Sequence, residues 1–127
     1  METSLAAAVA DALASEPAVL DAYVFGSVAR GEARPGSDLD VAVFLDPEVT
    51  PPVPWGWAAS ITTRLQAALG RNDIDVAVLN RATPLLYHRV LRDGILMVSR
   101  NKVATSERAL QARSRWLDWR AFRARAA

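Results

Sequence analysis

A chain of 127 residues, 51% hydrophobic and 23% charged, predicts one compact domain and leaves little room for a second. No apolar run approaches the roughly 20 residues of a membrane span, and the absence of cysteine excludes disulfides and thiolate metal sites, which suits a cytoplasmic protein. The net charge of +1 hides a division: residues 1–99 carry 7 Lys/Arg against 12 Asp/Glu, a balance of −5, whereas residues 100–127 carry 8 against 2, a balance of +6. An acidic body with a basic tail points to a nucleic acid or an acidic protein as partner, or else to a solvated helix face.

In chain order, Leu5, Val9 and Leu13 recur every four residues after Thr3 or Ser4 as N-cap, and Pro17 ends the pattern, which predicts a first helix. This Ala-rich segment has no basic n-region and carries Asp11 and Glu16, so it is not expected to be a signal peptide. Val19–Phe25 reads as a strand closed by Gly26. One helical turn follows over Ser27–Arg30, and Gly31, Pro35 and Gly36 mark a loop before a second strand over Leu39–Leu45. Four prolines between 47 and 54 define a linker without regular structure. Trp57, Ile61, Leu65 and Leu69 form a helical stripe stopped by Gly70, and a third strand runs over Ile74–Leu79. Thr83-Pro84 starts a short helix that Gly94 closes, Ile95–Val98 is a fourth strand, and the chain is helical from about Thr105. The order predicts an α/β (α+β) fold, a small mixed β-sheet flanked by helices. Residues 1–127 are expected to form one domain, with about 100–127 as a basic extension and candidate partner-binding element.

Asp38 and Asp40 stand on one side of the start of the second strand, where two like charges repel and neither is a strand former. They are ligands for a divalent cation shared with substrate phosphates, or they lie in a solvated loop end. Ten residues upstream, Gly26-Ser27 closes the first strand. A glycine there admits a phosphate to the backbone, and a serine caps the turn or donates to a phosphate oxygen. If the intervening residues fold back, the two strands are antiparallel and a phosphate cradle faces the acids. The stretch "DIDVAVLN" echoes "DLDVAVFL" and brings Asp75 to the head of the third strand, with the helix of residues 57–69 as the crossover for a parallel pair. Asp75 then neighbours Asp40, while Asp73, of the same parity, lies farther out. Three carboxylates with a phosphate loop suit phosphoryl or nucleotidyl transfer with two Mg²⁺, Asp75 helping to deprotonate the acceptor hydroxyl.

The stretch "GSVARGEARPGSDLDVAV" resembles the Gly-Ser-x10-Asp-x-Asp signature of the polymerase-β-like nucleotidyltransferase superfamily, with nothing inserted or missing. The filling "ARGEARPGSDLD" and the later "DVAVLN…PLLYHRVLRDGILMV" resemble its minimal nucleotidyltransferase (MNT) family, over about Val19 to Val98. The resemblance implies ATP as donor, Mg²⁺ as cofactor and a HEPN-type ribonuclease toxin as partner, with transfer of AMP to a tyrosine hydroxyl of that toxin. It also implies that Gly26 and Ser27 hold phosphate, that Asp38 and Asp40 hold metal, and that Asp75 serves as metal ligand and base.

Around that core, Arg30 is expected to neutralise the triphosphate and Arg34 stands between that role and the surface. Ser37 either binds phosphate or closes the Pro-Gly turn. His88, the only histidine, is expected to pack between helices, and Trp57 to cover the core, while Trp55 is open to stacking on a base. Two alternatives to the adenylyltransferase are an antitoxin that acts mainly by binding and an aminoglycoside-type nucleotidyltransferase.

Overall fold

The computed structural model describes residues 1–48 and 56–126, so most of the proline-rich linker, Trp55 included, lies outside the described residues. Strands β1 (Val19–Phe25), β2 (Leu39–Leu45), β3 (Ile74–Val78) and β4 (Ile95–Ser99) form one mixed sheet in the order β3-β2-β1-β4. β1 is antiparallel to β2 and β4, and β2 is parallel to β3. The helices are α1 (Thr3–Ala14), α2 (Gly26–Ala29), α3 (Trp57–Leu69), α4 (Pro84–Asp93) and α5 (Lys102–Ala126). The predicted mixed sheet with flanking helices is the observed one, and α3 makes the crossover that the parallel pair requires.

Strand alternation sorts the side chains into two layers. On one face, Ala22 and Val24 of β1 and Val41 and Val43 of β2 meet Val9 and Leu13 of α1 and Ile61 and Leu65 of α3, with Trp57 packed at the margin. On the other, Tyr23 and Ala42 meet Tyr87 and Val90 of α4 and Ala112 of α5. Asp40, two residues before Ala42, belongs to this second face. Among the described residues no helix is long and apolar enough to cross a membrane.

Several boundaries differ from the expected ones for local reasons. Glu2, not Thr3 or Ser4, stands at the N-cap of α1, and the Ser4 hydroxyl donates to the Glu2 carboxylate. β3 stops at Val78 because Leu79–Arg81 turns into a 3₁₀ segment, where Asn80 mimics a strand partner. Its Oδ1 accepts from the Leu45 N–H at 2.8 Å and its Nδ2 donates to the Leu45 carbonyl at 2.7 Å. α5 begins three residues before Thr105, capped by Asn101, whose Oδ1 accepts from the Ala104 N–H at 3.0 Å. Thr83 caps α4 as expected, its hydroxyl accepting from the Leu86 N–H at 3.2 Å.

A buried ion pair holds α5 to the sheet. Asp21, in the middle of β1, has no exposed surface. Arg108 donates to it twice, Nε to Oδ2 at 2.7 Å and Nη2 to Oδ1 at 2.8 Å, and the Thr105 hydroxyl donates to Oδ1 at 2.5 Å. The guanidinium also lies 4.9 Å from the centre of the Phe44 ring. Close by, burial pushes the Tyr23 hydroxyl up to about 12 and the Tyr87 hydroxyl above its ordinary range.

Removing one partner of such a pair strands the other charge, at a cost of about 3–5 kcal/mol. Arg108→Ala is therefore expected to lower unfolding free energy in urea by that amount. In a double-mutant cycle with Asp21→Asn, the two losses should be far from additive.

Candidate active site

The β1–β2–β3 register builds the site from three neighbouring strand ends. Phe25 pairs with Asp40, and Asp40 pairs with Asp75. Gly26, one residue past Phe25, therefore lies beside the Asp40 side chain. Its φ of +74° suits glycine, and a Cβ at that position would overlap the Asp40 carboxylate. Gly26 and Ser27 open α2, a single turn whose Arg30 N–H returns to the Gly26 carbonyl at 3.1 Å. The first amides of such a turn have no partner within it and face outward.

The carboxylates form an electrostatically coupled set. Asp38 and Asp75 are exposed, and Asp40 is half-buried. Burial first, then the charges of Asp75 and Asp38, raise the Asp40 carboxyl above its ordinary range, and Arg30 opposes them. Among the described residues no three acidic, histidine or cysteine side chains are already gathered as a metal cluster. The donor set nonetheless fits a hard divalent cation: all three side chains are carboxylates, they sit at adjacent strand ends, and their mutual repulsion is what a cation relieves.

A hollow of about 470 Å³ opens beside Gly26, lined by Phe25, Gly26, Arg30, Arg89, Arg92 and Asp93. Arg30 comes from the C-terminal side of α2, Arg89 and Arg92 from the last turn and a half of α4. Arg30 contacts Glu32 at 3.2 Å and Asp93 at 3.8 Å, and Arg92 holds Asp93 through contacts of 2.8 and 3.0 Å. Those guanidiniums keep the Asp93 carboxyl below its usual range. Three guanidiniums against Asp93, the one carboxylate in its lining, make the hollow suited to an anion. Arg89 and Arg92 were not singled out from the sequence; their only signal was the i, i+3 spacing of two arginines ahead of Gly94.

Ser37 and Arg34 are placed elsewhere. The Ser37 hydroxyl accepts from the Arg34 N–H at 2.9 Å, and the Ser37 N–H returns to the Arg34 carbonyl at 2.9 Å, closing the Pro-Gly turn. Both residues line a separate hollow with Met1, Glu2 and Arg71. Asp73 also stays outside the constellation: Arg71 grips it through Nε at 2.6 Å and reaches the Ser37 carbonyl at 3.4 Å. With the Leu39 N–H on the Asp73 carbonyl at 2.7 Å, Arg71 and Asp73 tie the lead-in of β3 to that of β2. His88 packs flat on Trp116, with ring centres 4.1 Å apart and planes 10° from parallel, the packing role expected of it.

A sequence profile described as "Polymerase beta, Nucleotidyltransferase" matches residues 8–103, three quarters of the chain and all of the site. The chain belongs to that nucleotidyltransferase family. Its fold is similar to that of several solved structures. One is a toxin–antitoxin complex with AMP-PNP, at 21% identity and a TM-score of 0.78, covering 95% of this chain and 94% of the other. Another is an MNT antitoxin in complex with a tri-AMPylated HEPN toxin of Shewanella oneidensis, at 20% identity and a TM-score of 0.74, covering 99% and 95%. A third is the MntA–HepT toxin–antitoxin complex, at 19% identity and a TM-score of 0.74, covering 98% and 95%. At such identities the likeness speaks for the fold. No curated protein matches the chain. The resemblance to MNT nucleotidyltransferases seen in the sequence agrees with the profile and with these neighbours.

Two outcomes follow from the geometry. Gly26→Ala should lose most nucleotide binding and lower the melting temperature, because the new methyl group must displace the Asp40 carboxylate. Calorimetric ATP titration and a thermal melt read both. For Asp40 the sign is the reverse of an ordinary stabilising carboxylate. A folded-state pKa above the unfolded value means that the ionised form costs stability at neutral pH, and the cost disappears as pH falls through the raised pKa. In cation-free buffer Asp40→Asn should therefore unfold at higher urea than the parent at pH 7, and the gap should close as pH approaches 4.

Proposed function

We propose that this nucleotidyltransferase is the antitoxin of a HEPN-type toxin pair, and that it transfers AMP from ATP to a tyrosine hydroxyl of its toxin partner. The observation that carries the reading is the strand register that lines up Gly26, Asp40 and Asp75, with Arg30, Arg89 and Arg92 around the adjoining hollow. The structural neighbours described as toxin–antitoxin complexes, with AMP-PNP in one and an AMPylated HEPN toxin in another, support the choice of donor and acceptor. The lack of cysteine suits action in the cytoplasm.

In this mechanism Gly26 and Ser27 receive the triphosphate on backbone amides and the Ser27 hydroxyl. Arg30, Arg89 and Arg92 balance the charge of its β- and γ-phosphates. Asp38, Asp40 and Asp75 would hold Mg²⁺, with two ions expected. When bound, the metal neutralises phosphate charge and makes the acceptor hydroxyl more acidic. The acceptor oxygen attacks the α-phosphorus, the bond from that phosphorus to the α–β bridging oxygen breaks, and pyrophosphate leaves. Asp75, exposed near the start of β3, takes the hydroxyl proton. Most of the acceleration comes from holding the hydroxyl in line with the leaving group and from matching developing charge.

Incubation with α-labelled ATP, Mg²⁺ and the HEPN-type partner should label the partner and release pyrophosphate. Asp38→Asn and Asp40→Asn should each reduce labelling by at least ~100-fold, the scale of losing a group that stabilises transition-state charge. Labelling of a small-molecule aminoglycoside instead of protein would refute the proposed acceptor. Variants that no longer label yet still protect cells would make binding the main route of neutralisation.

A further inference from the structure

Helix α5 meets the rest of the chain mainly through its first half and, beyond Ala112, through the stacking of Trp116 on His88. Its only buried residues are Thr105 and Ala112, and every described residue after Trp119 is exposed. Val103, Leu110 and Leu117 recur every seven residues along one side and are 69%, 65% and 47% exposed. They form an exposed aliphatic seam on an otherwise polar helix, with Ser106 and Arg113 at the intervening turns. Beside Leu110 a groove of about 500 Å³ runs between α4 and α5, lined by His88, Leu91, Arg92, Ala109, Leu110 and Arg113. Arg92 also lines the hollow at Gly26, so the groove and the candidate active site share a wall.

We propose that the α4–α5 groove, with the Val103–Leu110–Leu117 seam, docks an acidic amphipathic helix of the acceptor protein and leads its hydroxyl to the site at Gly26 and Asp40. The inference rests on the transferase reading for what happens at the end of the groove, but docking itself is a separate property. Charge selects the occupant: residues 100–127 carry +6, and Arg92 and Arg113 flank the apolar floor. An acidic helix is drawn to that surface, whereas a second copy of this basic segment is repelled. Nucleic acid is disfavoured by the fate of the aromatics. Trp116 is stacked on His88 and lies 5.3 Å from Trp119, whose ring is capped by Arg123 at 5.0 Å. Base stacking needs a run of free ring faces, and of the three α5 aromatics only Phe122 offers an exposed ring, beside the exposed aliphatic Val103, Leu110 and Leu117.

The test uses the full chain and the HEPN-type protein of the same toxin–antitoxin pair, with binding and AMP transfer measured separately. Leu110→Glu and Arg113→Glu alter exposed positions and should each weaken calorimetric binding of that protein at least about tenfold, the scale of losing an interface anchor. Leu96→Glu, on the exposed edge of β4, is the control and should bind as the parent does. ATP binding serves as the check of folding. Loss of docking in both groove variants, with the control intact, supports the groove even if no AMP is transferred; that combination would sink the transferase reading alone. Unchanged binding in the groove variants, or no binding by the parent, overturns the proposal. So does a parent dimer that Leu110→Glu dissociates without loss of HEPN-protein affinity, or competition by an oligouridylate RNA for the same surface.

Discussion

The arrangement of this molecule depends on how closely β1 approaches the acid-bearing end of β2. Phe25 pairs with Asp40, and the next residue must turn into α2 with its backbone against the Asp40 carboxylate. Only a residue without Cβ fits. The approach places outward-facing amides beside an ionised group, and the parallel pairing of β2 with β3 places a second carboxylate, Asp75, on the far side. Each contact is ordinary sheet geometry. Together they concentrate negative charge at one edge of the sheet, and under the proposed function, which brings a phosphate to the same place, that conflict favours a divalent cation between them.

The positive groups that complete the site come from a different part of the chain. Arg30 is delivered by α2, close in sequence to Gly26, but Arg89 and Arg92 arrive on α4 some sixty residues later. Asp93 moderates them, holding Arg92 and approaching Arg30. The carboxylates thus stand at the strand ends, and the guanidiniums line the adjoining hollow from the helices. In the proposed function such a division would orient a phosphate chain along one direction, which positional catalysis requires.

How much of this was legible in the sequence follows the range of the interactions. The strands announced themselves through apolar runs, and the likeness of "DIDVAVLN" to "DLDVAVFL" located Asp75 because parallel neighbours with the same inward pattern fall into register. The turn role of Ser37 was also readable, since Pro35-Gly36 is a local signal. The start of α5 was missed because its cap, Asn101, lies just past a strand and the β-branched Val103 does not read as helix. Asp21 with Arg108 could not be read at all. Their partnership spans 87 positions, and nothing local distinguishes Asp21 from an edge residue of an apolar strand. The arginines of α4 were hidden for the same reason: which side of a helix faces the sheet end is decided by tertiary packing.

Asp21 and Asp40 make a useful contrast, because alternation puts them on the same sheet face of adjacent strands. Asp21 is fully buried, yet Arg108 and Thr105 satisfy both its oxygens, and the resulting clamp fixes α5. Asp40 is only half-buried, and burial first, then the charges of Asp75 and Asp38, disfavour its ionised form, with Arg30 opposing them. A protein selected for stability alone would neutralise Asp40 as thoroughly as Asp21. Leaving it with no hydrogen-bonded arginine, only the more distant charge of Arg30, while Arg108 is committed to Asp21, separates the two tasks of one sheet face. The acid gripped by Arg108 anchors the helix that frames the groove, and in the proposed function the other keeps its oxygens available for a cation.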